Sequence, residues 1–224
     1  MSAGAAPGGT ILAIDTATSR VVVARGRPDG TLEDQASWDA GYRHGEALLP
    51  AIERLLGPVG GRAALSRVVV GTGPGAFTGL RVGIATAKGI AHGLGCPIAG
   101  VPTGVALLAA AGGNAALLLP AGPSDRVLVR AGEAARLLPG GTEPDMRPGE
   151  TLIAVDLDGR APTDALERGS AARDGLAAAL LRLGAERLAA TGGDDLESLV
   201  PDYVTLPRGV KAMTGEVAWS HDPR

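Results

Sequence analysis

VVVGTGPGAFTGLRVGIATAKGIAHGLG, residues 68–95, is the stretch from which the rest of the chain can be read. Val68-Val69-Val70 is a β-branched run that marks a buried strand. It meets the glycine-rich turn Gly71-Thr72-Gly73-Pro74-Gly75-Ala76, which opens into a long helical pattern of mostly small residues. Gly83, Gly89 and Gly93 lie inside that pattern. Each costs about 1 kcal/mol against Ala in a helix interior, so the missing side chains should serve a purpose. Either another backbone packs closely on the helix, or a ligand approaches its N-terminus. Between Arg81 and Gly95 only Lys88 is charged. A crossover helix with a solvent-facing side should carry more charge, so its outer face is expected to be covered by something else.

The turn matches the relaxed dinucleotide pattern G-x-G-x-x-A between a strand and a helix. That pattern expects an acidic residue about twenty positions on to hold a ribose, and none occurs until Asp125. Pro74 removes one N–H that would face a pyrophosphate, and no Gly-Lys-Ser/Thr follows to make a P-loop. A nucleotide site of either kind is disfavoured.

On the N-terminal side, Thr10 to Ile14 reads as a first strand, followed by the polar turn Asp15-Thr16-Ala17-Thr18-Ser19. Arg20 to Arg25 and Thr31 to Ser37 are further strands separated by Pro28-Asp29-Gly30, which predicts an antiparallel meander. An aspartate after a first strand, followed by small hydroxyl residues, is how actin-like and sugar-kinase-like ATPases build a metal and phosphate loop. Asp15, Thr16 and Thr18 fit that outline, but Ala17 stands where those loops place a glycine. The plainer reading, a hydroxyl-rich turn bracing the strand, carries more weight.

His44 to Leu56 predicts a helix whose apolar stripe is Leu48, Leu49, Ile52, Leu55 and Leu56. Pro50 should kink it, or the regular helix begins near that residue. On the C-terminal side, Pro97 to Val101 is a strand and Thr103 is the expected N-cap of a helix reaching Ala111. Strands alternating with helices imply βαβ crossovers and a partly parallel sheet. Beyond Gly112, strands are expected at Ala115–Leu119, Val127–Arg130 and Thr151–Val155, and a short amphipathic helix at Asp174–Leu183. Asp194 and Glu197 read as a cap and its N3 partner. The expected organisation is a disordered tail at 1–9, a first lobe at 10–111, a second, more degenerate lobe at 112–207, and a C-terminal tail at 208–224.

Composition narrows the function. Of 224 residues, 45% are hydrophobic but only 2% aromatic, so the core must be built of Ala, Val, Leu and Ile. Such a core buries less area per residue, and a gain in stability from a partner is expected. A net charge of −3 argues against a general nucleic-acid binder. No Asp or Glu occurs from Arg54 to Ser124, where Arg54, Arg62, Arg67, Arg81 and Lys88 stand; core is a better account of that segment than a phosphate-binding face. No apolar run is long enough to cross a membrane, Met1 to Gly9 lacks the pattern of a signal peptide, and Cys96 is the single cysteine. A reducing cytoplasm is expected. His44, His92 and His221 are too scattered for a metal triad, no G-x-S-x-G elbow occurs, and the turn at Gly159 accounts for Asp156 and Asp158.

Three motifs together resemble a known family. Ile14-Asp15-Thr16-Ala17-Thr18, His44-Gly45-Glu46-Ala47-Leu48-Leu49-Pro50 and Gly73-Pro74-Gly75-Ala76-Phe77-Thr78-Gly79-Leu80-Arg81-Val82-Gly83 are similar to the TsaB family, also called YeaZ. The resemblance covers Thr10 to about Pro102, and later only Pro201-Asp202-Tyr203. It implies an α/β actin-like (ASKHA, ribonuclease H-like) two-lobe fold with mixed sheets and flanking helices. It also implies a non-catalytic scaffold, required with TsaD and TsaE for threonylcarbamoyl transfer to the tRNA adenosine next to the anticodon.

The same resemblance implies pairing with the TsaD paralogue as a heterodimer, or a homodimer when TsaD is absent. It implies work alongside the TsaE ATPase, indirect contact with tRNA and no membrane association. No cofactor is expected on this chain alone; ATP or ADP and metal are expected on the partner or at the mixed interface. The docking surface is expected on the two helices at 44–56 and 78–94, through His44, Leu48, Leu49, Ile52, Leu55, Leu80, Gly83, Ile84, Ala87 and Ala91. Asp15, Thr16 and Thr18 are then a vestigial phosphate loop. The strand-opening motif of the family's second lobe is eroded here to Ala121-Gly122-Pro123-Ser124-Asp125-Arg126-Val127-Leu128. The competing reading is an ATP-dependent enzyme of the same fold class, a phosphotransferase or peptidase using Asp15 and the glycine loop.

Overall fold

The apolar runs that stand out in the sequence lie side by side in the computed structural model, which describes residues 9–39, 41 and 47–204. Strands β1 (Thr10–Asp15), β2 (Arg20–Gly26) and β3 (Leu32–Asp39) form the antiparallel meander. Strand β4 (Leu65–Gly71) pairs parallel with β1, and β5 (Ile98–Val101) parallel with β4, giving the order β3-β2-β1-β4-β5. The inner strands are buried on both faces, which is why they read as continuous aliphatic runs rather than alternating ones.

Period-two geometry divides those runs between two cores. Leu12, Ile14, Val21, Val23, Val68, Val70 and Ile98 pack with α1 (Leu48–Leu56) and α2 (Phe77–Leu94). Ile11, Ala13, Val22, Ala24, Val69 and Ala99 face the opposite way, into a core shared with α3 (Thr103–Ala111) and α5 (Leu176–Thr191). Pro50 falls in the first turn of α1, whose first helical bond runs from Ala51 N–H to the Ala47 carbonyl. N–H groups that early have no intrahelical partner, so proline there removes nothing.

The second sheet has the order β8-β7-β6-β9: β6 (Ala115–Pro120), β7 (Arg126–Arg130), β8 (Arg136–Leu138) and β9 (Thr151–Ala154), with β9 parallel to β6. One face packs with α4 (Thr163–Asp174) through Ala116, Leu118, Leu128 and Ala165. The other face, through Leu117, Leu119, Val127 and Val129, joins the core that lies against the first sheet. Arg130 reaches Glu150 with bonds of 2.6 and 2.8 Å, and the two side chains are 7% and 2% exposed. The Arg130 guanidinium holds the Glu150 carboxyl down at about 2.

Several expectations need correction. The helix expected at Asp174–Leu183 is the longer α5, and it packs on the first sheet although it follows the second in sequence. A boundary near Ala111 therefore separates the sheets but not the cores. Helix α4 was not foreseen, because its inward face is Ala165, Gly169 and Ala172, with little apolar contrast. A Cβ on Gly169 would overlap the Ala154 carbonyl, so small residues let α4 lie directly on β9. Strand β8 is three residues long and mostly exposed, too short for a period to show. No helix follows Asp194: its carboxylate accepts the Gly100 N–H at 2.8 Å and pairs with Arg187 at 2.7 Å. Thr103 is the first residue of α3 and its hydroxyl does not cap that helix. The expected tails at 1–9 and 208–224 lie outside the described residues, apart from Gly9.

Candidate functional site

Asp15 ends β1 and is 0% exposed. Its Oδ1 accepts the Ala17 N–H at 3.0 Å, and its Oδ2 accepts the Thr103 hydroxyl at 2.6 Å. The Thr103 oxygen in turn accepts the Gly73 N–H at 3.1 Å. Burial pushes the Asp15 carboxyl up to about 6, against the lowering effect of the bonds from Thr103 and Ala17. The neighbouring hydroxyls are committed as well. Thr16 donates to the Gly79 carbonyl at 2.7 Å, and Thr18 donates to the Arg20 carbonyl at 2.9 Å. The Ala76 N–H donates to the Ala17 carbonyl at 2.7 Å, seating the glycine loop on the turn.

The glycines follow from this seating. A Cβ on Gly71 would overlap the Asp15 carboxylate, one on Gly75 the Ala17 carbonyl, one on Gly79 the Thr16 carbonyl, and one on Gly83 the Thr16 hydroxyl. Four glycines of the 68–95 stretch thus serve one internal contact, the turn after β1 against the glycine loop and α2. A phosphate or a metal held by this turn would need an accessible carboxylate and free donors. The Asp15 carboxylate is buried and the Thr16 and Thr18 hydroxyls are already bonded, so these three side chains offer a ligand neither as they stand. They form the bracing turn.

The two helices also place their residues differently from expectation. Leu48, Leu55, Leu80, Ile84, Ala87 and Ala91 are at most 4% exposed and face the sheet. Gly83 packs on Thr16, and His44 lies outside the described residues. The stripe read from the sequence is the inward one. Of the proposed contact residues, Leu49 is the one that stands out, 54% exposed, while Ile52 forms part of a groove floor. That groove, 730 Å³, runs between the outer faces of α1 and α2 and is lined by Leu49, Ile52, Leu56, Ala85, Thr86, Gly89, Ile90, Gly93 and Leu94. Cβ atoms on Gly89 and Gly93 would meet nothing within 4 Å. These two glycines, not Gly83, leave room for something from outside.

A second concavity of 580 Å³ lies between the lobes, bounded by Ala17, the Pro74–Phe77 loop, the eroded 121–125 segment, Asp156 and Tyr203. Asp156 has φ 58°, a conformation that Asp tolerates better than most residues. Its carboxylate accepts the Ser19 N–H at 2.6 Å and the Ser19 hydroxyl at 2.5 Å, and pairs with Arg173 at 3.0 Å. This clasp ties the turn after β1 to the second lobe. The Asp-Gly pattern at 158–159 had suggested only a turn, and nothing local in the sequence points to Ser19. His92 is exposed on α2, and among the described residues no group of three His, Cys, Asp or Glu could hold a metal.

Comparison with known proteins connects this geometry to a family. The family model of TsaD, tRNA N6-adenosine threonylcarbamoyltransferase, matches residues 38–156, more than half of the chain. The tRNA threonylcarbamoyladenosine biosynthesis protein TsaB of Escherichia coli is 40% identical over 95 residues, covering 42% of this chain and 40% of that protein. The protein of the same name in Bacillus subtilis is 36% identical over 93 residues, 41% of this chain and 40% of that one. The chain belongs to the TsaB/YeaZ family. An uncharacterized protein of Mycobacterium tuberculosis is 43% identical over 95 residues, 41% of this chain and 44% of that protein. The matched part spans less than half the length of these curated relatives. In structure, YeaZ from Pseudomonas aeruginosa superposes with a TM-score of 0.64 at 21% identity, covering 88% of this chain and 100% of that one. The TsaB/YeaZ chain therefore has the α/β actin-like fold, with two mixed sheets and flanking helices.

Proposed function

We propose that this chain acts in the biosynthesis of tRNA threonylcarbamoyladenosine as a non-catalytic scaffold subunit. It pairs through the outer faces of α1 and α2 with a TsaD-type paralogue, works with a TsaE-type ATPase, and touches tRNA only indirectly. Where the paralogue is absent, the same face pairs two copies of this chain. ATP or ADP and metal belong to the partner or to the mixed interface, and the complex works in the cytoplasm.

The observation that carries this reading is the contrast between the two candidate surfaces. The carboxylate an ATPase would use is sealed, 0% exposed and bonded to Thr103 and Ala17. The helix pair meanwhile keeps a largely apolar groove of 730 Å³, to which the Glu53–Arg62 ion pair also contributes, with Leu49 and Leu94 exposed at 54% and 41%. The burial of Asp15 weighs against the competing reading of an ATP-dependent enzyme, since no phosphate or metal could reach that carboxylate without dismantling the turn.

The test is co-purification of this chain with the TsaD-type protein of the same organism, followed by tRNA modification assayed with and without this chain. Modification that proceeds equally well in its absence would sink the proposal. Nucleotide binding by the isolated chain that is lost in Asp15→Ala would favour the enzyme instead.

A further inference from the structure

Residues Pro201–Val204 close the groove between the lobes. The Asp202 N–H donates to the Thr72 carbonyl at 2.8 Å, fastening this segment to the glycine loop. Tyr203 stacks on Phe77, with ring centroids 5.1 Å apart and planes tilted by 31°. Arg81 completes the arrangement: its guanidinium carbon lies 3.7 Å from the Phe77 ring centre, and its Nε donates to the Tyr203 hydroxyl at 3.1 Å. Phe77 is the one phenylalanine of the chain and Tyr203 one of two tyrosines. In a chain so poor in aromatic residues, two of them meet at this place. Val204 then packs against the core shared by both sheets, which contains Val127 and Val129. The segment thus crosses from the first lobe to the second within three residues.

Its position divides the groove. A cavity of 580 Å³ lies on one side and one of 460 Å³ on the other. Pro74, Asp202, Tyr203 and Val204 line both. Upstream the chain is anchored separately: Leu199 is 7% exposed in the first lobe's core, and Asp194 is bonded to Gly100. Between Leu199 and Val204, the described fastenings are the Asp202 backbone bond, the Tyr203 stack and the Val204 contact.

We infer that Pro201–Val204 is a releasable strap: Tyr203 seated on Phe77 and Arg81 keeps the interlobe groove divided, and lifting the strap joins the two cavities into one open groove. The strap is a local unit hinged after Leu199, because its described contacts are few and, Val204 apart, are distinct from those that build the cores of the sheets. The aromatic stack sets the balance between the seated and lifted forms. An aromatic pair of this kind shifts such an equilibrium about ten-fold or less.

Hydrogen exchange on the full chain tests this, with Tyr203→Ala and Tyr203→Phe compared to the parent. In Tyr203→Ala the Asp202 amide should exchange several-fold faster, while amides of β1 and β4 keep their protection and the urea midpoint barely moves. Tyr203→Phe retains the ring but loses the hydroxyl that accepts from Arg81, and should fall between the two. The dye ANS should bind Tyr203→Ala more strongly than the parent, because the joined groove exposes apolar wall. Unchanged exchange at Asp202, an equal loss of protection across β1 and β4, or unchanged ANS binding would each overturn the inference.

Discussion

The Thr103 hydroxyl donates to the Asp15 carboxylate at 2.6 Å across 88 residues of sequence. This bond joins the first turn of α3 to the end of β1 and leaves the Asp15 carboxylate buried. The accepting carboxyl also has a distinctive titration, which burial sets and this bond opposes. The carboxyl is raised to about 6 by burial, so the native state holds its proton more tightly than the unfolded chain does. Stability from this group is highest at low pH. It declines as pH rises from the unfolded value of 3.8 to about 6, and is flat beyond. The full effect is of the order of 3 kcal/mol. Asp15→Asn should remove the decline while keeping an acceptor for Ala17, so urea midpoints between pH 4 and 7 should vary less than in the parent. An unchanged slope would show that Asp15 is not its source.

The Arg130–Glu150 pair works in the opposite direction. Glu150 is held at about 2, below its ordinary 4.5, chiefly by the hydrogen bonds from Arg130. Its stabilisation is fully present above pH 4.5 and disappears as pH falls toward 2. Glu150→Gln leaves a guanidinium that is 7% exposed without its carboxylate. The expected cost at pH 7 is roughly 3 kcal/mol, and the difference from the parent should shrink below pH 4. Urea unfolding at pH 7 and pH 3 measures both; equal differences at the two pH values would refute the assignment.

Gly83 and Gly89, six positions apart on α2, should respond to alanine with opposite signs. A Cβ on Gly83 would overlap the Thr16 hydroxyl, which is itself bonded to the Gly79 carbonyl. Gly83→Ala should destabilise by about 1–3 kcal/mol through overpacking. Gly89 faces open space, so Gly89→Ala should stabilise by roughly 0.4–1 kcal/mol. For a chain of this size that is up to about 4 °C in Tm. Two thermal melts decide the matter, and a gain in both variants would place Gly83 outside the contact described.

Docking should follow the groove rather than the inward stripe. Leu49→Asp and Gly89→Leu change residues that line the groove and are exposed. Both should leave the parent's circular dichroism and melting cooperativity in place while lowering retention of a TsaD-type partner by about ten-fold or more. Leu80→Asp, at a side chain 0% exposed, should instead unfold the chain. If both groove variants retain the partner fully, docking takes place elsewhere.

Much of the fold was legible because burial on both faces leaves a strong mark on strands. Val21-Val22-Val23 and Val68-Val69-Val70 could hardly be anything else, and Pro28-Asp29-Gly30 marked the hairpin between β2 and β3. The helix at 77–94 was legible by its length and its many small residues. Which side of it looks outward was not. Its inner stripe, Leu80, Ile84, Ala87 and Ala91, and its outer one, Ala85, Gly89, Ile90 and Gly93, are both small and uncharged. Periodicity finds a stripe but has no sign when both sides are apolar.

The sequence by itself therefore determined all the strands but β8, most of the helices, and the presence of a glycine-rich junction after Val70. Those depend on local propensity and on the regular spacing of residues along one segment. Only the tertiary structure decided that Thr103 bonds Asp15, that Ser19 meets Asp156, that Gly83 receives Thr16, and that α5 covers the first sheet. Those contacts join segments far apart in the chain, and a side chain's partner is set by where two elements cross, which no local pattern records. The 68–95 stretch depends on both: its glycines announce a close approach, and the packing of the turn at Asp15–Thr18 shows that four of those approaches come from within the molecule.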